Sequence, residues 1–169
     1  IIKNFFSFII FTISSGGTAE SFGTLTDSKN YMGACASPVR GVFAGGTPVA
    51  SPYTPLTSDI EFVTTATLGS EQDFGSLTAA TSSMSGLSNP TRGIFAGGYN
   101  PAANKVIQYI TIASSGNAIN FGDLVNNANQ SSNSGASSST RGVFSALTPG
   151  QTTNMDMIEI ATQGNAVDF

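Results

Sequence analysis

Apolar residues in this chain come in short runs of strand length, and no stretch sustains the 3.6-residue spacing of an amphipathic helix. Ile107-Gln108-Tyr109-Ile110-Thr111-Ile112 is rich in β-branched and aromatic residues and predicts a strand; Phe8 to Ile13, Ile60 to Thr65 and Met155 to Ile160 match it. A second kind of run, Arg40-Gly41-Val42-Phe43-Ala44-Gly45-Gly46, predicts a strand entering a tight turn, with the paired glycines supplying positive φ. Ser114-Ser115-Gly116-Asn117 and Gln163-Gly164-Asn165 read as turns. The polar stretch from Val125 to Ser139 fits either a weak outer strand or a surface loop.

These elements return at a fixed period. Pro38 to Gly46 (PVRGVFAGG) recurs as Pro90 to Gly98 (PTRGIFAGG) and, shortened, as Thr140 to Ala146 (TRGVFSA), so the arginines lie 52 and 49 residues apart. A Phe-Gly step marks Phe22, Phe74 and Phe121, and Phe169 falls at the same phase, with spacings of 52, 47 and 48 residues. A glycine stands five residues before each of these phenylalanines, at Gly17, Gly69, Gly116 and Gly164, and an apolar residue stands twelve before, at Ile10, Phe62, Tyr109 and Met157. Markers that keep one register over the whole chain define a repeat of 47–52 residues, with approximate units 1–46, 47–98, 99–147 and a partial 148–169. The second unit is longer by about five residues around Pro48, Pro52 and Pro55, and such insertions in repeat proteins map to one exposed face.

Composition narrows the chemistry. The 169 residues include no His, no Trp and one Cys, so no imidazole-based catalytic pair and no internal disulfide can form. Charged residues are 9% of the chain, and six basic side chains against a net charge of −4 leave no patch to neutralise a phosphate backbone; nucleic acid is not an expected partner. The segment Ile1 to Ile13 imitates the apolar core of a signal peptide but is too short to span a bilayer, and its place in the repeat favours a strand.

The strand with double glycine, followed by a first aromatic (Phe62, Tyr109) and a second (Phe74, Phe121), resembles a degenerate kelch repeat. It departs from kelch in having Phe for Trp, a spacing of twelve residues between the aromatics, and Ser145-Ala146 in place of the third double glycine. The resemblance implies an all-β fold of kelch-like β-propeller blades, about three and a half of them here, belonging to a larger or multi-chain ring, since closed propellers have about 4–8 blades. The phrase from Ile107 to Asp123 (IQYITIASSGNAINFGD), with Ser137 to Phe144 (SSSTRGVF), is similar to repeats of tail or tail-fibre-associated structural proteins of marine tailed phages. That resemblance implies a non-enzymatic virion component that attaches to a host surface glycan, with other virion proteins or further copies of itself as partners and no cofactor. The alternative is a cellular or secreted propeller lectin or protein-interaction module. A propeller glycosidase would need two carboxylates converging in one cleft.

Candidate residues divide by whether they repeat. Arg40, Arg92 and Arg141 recur once per unit, which favours tying neighbouring blades together, with backbone carbonyls as the common acceptor, over binding acidic sugars. Phe22, Phe74, Phe121 and Phe169 are expected to pack between blades. Tyr31, Tyr53 and Tyr99 do not repeat and sit in or near loops, where recognition is usually placed. The acidic residues show no calcium-loop spacing, and Cys35, with no basic neighbour, is expected to be a small buried apolar residue.

Overall fold

Each short apolar run becomes a strand, and each finds its partner in the run next to it in the sequence. A computed structural model describes residues 7–14, 16–25, 27–48, 55–102, 104–128, 134–145 and 153–169. The described residues form fourteen strands in four antiparallel sheets and contain no helix; no sheet closes into a barrel. A two-stranded sheet comes first, β1 (Ser7–Ile10) with β2 (Glu20–Thr24). Three four-stranded meanders follow. The first contains β3 (Gly33–Ala36), β4 (Arg40–Ala44), β5 (Asp59–Thr64) and β6 (Gln72–Ser76). The second contains β7 (Ser85–Ser88), β8 (Arg92–Ala96), β9 (Asn104–Thr111) and β10 (Ile119–Ala128). The third contains β11 (Ser134–Ser137), β12 (Arg141–Ser145), β13 (Met155–Glu159) and β14 (Val167–Asp168). Cuts after residues 46 and 98 therefore separate strands that pair with each other, β4 with β5 and β8 with β9.

The Phe-Gly step is a β-bulge. In the ladder of β5 with β6, Ile60 faces Gly75 and Glu61 faces Asp73, so Phe74 is the extra residue; Phe121 is skipped in the same way between β9 and β10, and Phe22 between β1 and β2. A bulge frees the carbonyl of its extra residue from the ladder and re-aims its side chain. Both consequences serve the contact between sheets. The carbonyls of Phe22, Phe74 and Phe121 accept the N–H of Gly69, Gly116 and Gly164 in the following sheet, at 3.1, 2.7 and 2.9 Å. The three rings are buried, Phe74 edge-on to Phe62 and Phe121 edge-on to Tyr109. Burying each ring contributes about 1.5–3 kcal/mol. Gly75 and Gly122 carry φ of 147° and 155°, and a Cβ at either would lie 2.4 or 2.2 Å from the carbonyl oxygen of Gly116 or Gly164, so only glycine fits. Phe169, at the same phase, is 65% exposed and not packed between sheets as expected.

Of the polar stretch from Val125 to Ser139, residues up to Ala128 belong to β10, residues 129–133 lie outside the described residues, and Ser134–Ser137 is an exposed edge strand of the third sheet, the strand alternative of the two expected. That strand is β11, and β3, β7 and β11 form the edge along which the sheets converge, β3 packing on β7 and β7 on β11. Small residues allow the approach: a Cβ on Gly86 would lie 2.0 Å from the carbonyl oxygen of Ala34. The Ser88 hydroxyl donates to the Ala36 carbonyl, and the Ser137 hydroxyl donates to that of Ser88, at 2.6 and 2.7 Å. β1 ends at Ile10, short of the expected strand to Ile13; among the described residues it is laddered to β2 alone, whereas its counterparts β5 and β9 are paired on both edges.

Two apolar clusters fill the spaces between consecutive sheets. One joins Cys35, Val42, Phe62 and Phe74 to Ile110 and Ile112 of the next sheet; the other joins Leu87, Ile94 and Phe121 to Ile158 and Ile160. Cys35 is buried there, and desolvation pushes its thiol pKa up to about 12.

Candidate functional site

Strand direction separates the molecule into two ends. β4 begins at Arg40 and runs into Gly45, and β8 begins at Arg92 and runs into Gly97, so arginines and double glycines lie at opposite ends of the sheets. The turns 65–71, 112–118 and 160–166 share the arginine end. The segments that cross from one sheet to the next, 25–32 and 77–84, share the glycine end with the loops that follow Gly46 and Gly98.

The arginine end is repetitive. The Arg40 guanidinium lies 4.3 Å over the Phe62 ring of its own sheet and donates to the Ile112 carbonyl of the next at 2.8 Å. Arg92 lies 4.8 Å from the Tyr109 ring centre and donates to the carbonyls of Ile160 and Ala161 at 2.8 and 2.9 Å. Arg141 instead turns onto Glu159 of its own sheet, Nε donating to Oε1 at 2.8 Å, with 61% of its side chain exposed. Two cavities of about 160 and 200 Å³ recur at one register, the first between Phe74, Tyr109 and Gly116, the second between Phe121, Met157 and Gly164. Both are smaller than the ~300 Å³ at which small-molecule sites begin, and their recurrence assigns them to the repeat.

The glycine end repeats its backbone and varies its side chains. Gly45 and Gly46 take φ of 64° and 96°, and Gly97 and Gly98 take 66° and 92°, which turns the chain back at each strand end. Tyr31 and Ser83 hold equivalent places in two consecutive crossings, both left-handed at φ of 59° and 57°. Non-glycine residues seldom adopt this backbone, and such positions cluster at functional sites. The Ser83 N–H donates to the Tyr31 carbonyl at 2.7 Å, while Ser82 exchanges two backbone hydrogen bonds with Tyr99, at 3.1 and 2.8 Å. Tyr31 and Tyr99, far apart in sequence, are thereby anchored to two successive residues. Tyr31 is exposed and Tyr99 half-buried. Tyr53 lies outside the described residues.

The same crossing that holds Tyr31 also contributes Lys29 to a charge cluster that periodicity did not single out. Lys29 is buried, its Nζ donating to Glu61 Oε1 at 2.6 Å and lying 3.5 Å from Asp59 Oδ2. Burial works to lower the Lys29 pKa, but the Glu61 hydrogen bond and the carboxylates of Glu61, Asp59 and Glu71 outweigh it and hold the ammonium above its ordinary range. One cation shared among several carboxylates leaves Glu61 on the opposite side of the balance. Desolvation, with Glu71 and Asp59 adding to it, lifts its carboxyl above the ordinary range despite Lys29.

Glu61 belongs to a row. Gln108 and Asp156 occupy its place in β9 and β13; the Gln108 Oε1 accepts the N–H and hydroxyl of Thr78, and the Asp156 Oδ2 accepts the N–H of Val125. Each pins the chain as it leaves the preceding sheet. A polar residue just before the apolar marker in an otherwise apolar strand was the signal available in the sequence. Among the described residues, no group of three His, Cys, Asp or Glu could hold a metal ion, and no helix is long and apolar enough to cross a membrane. No protein-family model matches the chain, and a search among curated proteins finds no match.

Proposed function

We propose that this chain is a non-enzymatic structural protein of a tailed-phage virion, built of kelch-like β-propeller blades and carried on the tail or tail fibre, that presents its glycine end to glycans of the host surface. The observation that carries this reading is the contrast between the two ends. The arginine end repeats its side-chain contacts at Arg40 and Arg92, as a scaffold does, while the glycine end repeats its backbone, bridging Asn30 to Thr47 as it bridges Ser82 to Tyr99, but carries loops of unequal length and two tyrosines that occur once each, Tyr31 on left-handed backbone. Tyrosine presents a large, rigid, amphipathic face at low entropic cost, suited to the apolar faces and hydroxyl rims of sugars. The repeat phrase from Ile107 to Asp123 supports the virion setting by its resemblance to phage tail proteins.

Two measurements test the reading. The purified chain, applied to immobilised bacterial surface polysaccharides, is expected to bind a subset of them and to lose that binding at least tenfold on Tyr31→Asn, a change that keeps a residue tolerant of left-handed backbone. Antibodies against the chain are expected to decorate the tails of tailed particles. Retained glycan binding in the variant would remove the glycine end from recognition, and labelling confined to cells would favour the cellular lectin.

A further inference from the structure

We infer, resting on the reading that the glycine end attaches to glycans, that the glycans it takes are those free of carboxylate, phosphate and sulfate groups. Charge is unequally divided between the two ends of the sheets. Three of the six basic residues are Arg40, Arg92 and Arg141, each the first residue of its strand at the arginine end. Arginine is the side chain whose planar fork matches a pair of anionic oxygens. Here Arg40 and Arg92 are committed to backbone carbonyls and Arg141 to Glu159.

The glycine end is built almost without charge. The segments 47–58 (TPVASPYTPLTS), 99–103 (YNPAA) and 146–154 (ALTPGQTTN), which follow the second strand of each sheet, hold no charged residue, and neither does the crossing 77–84 (LTAATSSM). The crossing 25–32 (LTDSKNYM) holds Asp27 and Lys29. Lys29 is buried and caged by Glu61, Asp59 and Glu71, so its charge is answered inside the protein. Lys105, the second residue of β9, donates to the Val125 carbonyl of β10 at 2.8 Å, and Lys3 lies outside the described residues. Around the crossing of Tyr31, the charged groups open to solvent are the carboxylates of Asp27 and Asp59. What this end offers a ligand instead is hydroxyls, amides and tyrosine phenols, which donate and accept as sugar hydroxyls do. An anionic sugar brought here would give up water to a surface without a free cation and would meet like charge.

The test applies the full 169-residue chain to immobilised bacterial surface polysaccharides at about 0.02 and 0.5 M NaCl, ionic strengths that leave surface charge weakly and strongly screened. The polysaccharides bound are expected to be those without anionic groups, with affinities that agree within about twofold at the two salts. Each bound polysaccharide is then compared with itself after oxidation of its primary hydroxyls to carboxylates. Oxidation is expected to weaken binding by about tenfold or more at low salt and by less at high salt, where the repulsion is screened. Asp27→Lys, at an exposed side chain, is expected to restore part of that loss and to leave binding of the untreated polysaccharide as it was. A preference for polysaccharides bearing carboxylate, phosphate or sulfate would overturn the inference and leave glycan attachment standing. So would a loss on oxidation that neither salt nor Asp27→Lys moves, since it would then belong to the altered hydroxyl and not to charge. A chain that binds no polysaccharide, neutral or acidic, would remove the glycan reading itself and this inference with it.

Discussion

The two ends of these sheets are built from the same strands and differ in what they repeat. At the arginine end, Gly69, Gly116 and Gly164 each donate to the preceding Phe carbonyl, and Arg40 and Arg92 each reach the carbonyl that follows a neighbouring strand. At the glycine end the crossings hold Lys29 in one unit and Thr81 at the equivalent place in the next, and the tyrosines occur once each. Contacts that recur must be compatible with every unit, so they are fixed by the backbone and by residues that tolerate no replacement. Contacts that do not recur are free to diverge, and recognition can reside there without loosening the stack.

The largest expected effect lies at the arginine end. Gly75→Ala places a Cβ 2.4 Å from the Gly116 carbonyl oxygen on a backbone at φ 147°. Strain and displacement of the next sheet together should cost about 3 kcal/mol or more, read as a lowered denaturation midpoint. A loss under about 1 kcal/mol would show that the joint yields. Arg92→Ala comes next: it orphans the carbonyls of Ile160 and Ala161 and removes the stack on Tyr109, at an expected cost of about 2–3 kcal/mol. The same change at Arg141, whose exposed ion pair with Glu159 stays within one sheet, should cost under about 0.5 kcal/mol. Equal costs would mean that the carbonyls do not set the difference.

Lys29→Met leaves the half-buried Glu61 without its Lys29 donor and should lower stability by about 1–3 kcal/mol. The pH dependence follows from the directions of the two shifts. Because the folded pKa of Lys29 lies above 10.5, its contribution is complete below that pH and is lost as pH rises through the folded value. Because the folded pKa of Glu61 lies above 4.5, the folded state binds more protons there, and its contribution grows as pH falls from the folded value toward 4.5. Chemical denaturation at stepped pH should therefore show the alkaline loss diminished in Lys29→Met; an alkaline limb of unchanged size would assign it to other groups. Smallest of all, Tyr31→Asn at an exposed position should shift stability by no more than about 0.5 kcal/mol.

The periodic residues were the legible part of the sequence. Phe22, Phe74 and Phe121 announced themselves by spacing, as did the arginines, because every unit needs them for the same joint. The bulge that makes Phe-Gly useful was not readable, since the residue skipped in a ladder is decided by the pairing of two strands. The strand Ser134–Ser137 was legible only as one of two alternatives, strand or loop, for a different reason: it carries no apolar alternation and owes its place to small residues that let neighbouring sheets converge. Arg141 shows the limit of periodicity, for it has the sequence context of Arg92 and a different partner, Glu159 of its own sheet. Lys29 was illegible because its partner Glu61 is 32 residues away and no other unit carries the pair.

The division of labour between the two ends is tested most directly by measuring stability and glycan binding together for Arg92→Ala and Tyr31→Asn. Arg92→Ala should lose about 2–3 kcal/mol of stability while its binding per folded molecule is unchanged, and Tyr31→Asn should do the reverse, losing binding at a stability within about 0.5 kcal/mol of the parent. Loss of binding in Arg92→Ala at unchanged stability would contradict it, and would move recognition to the arginine end.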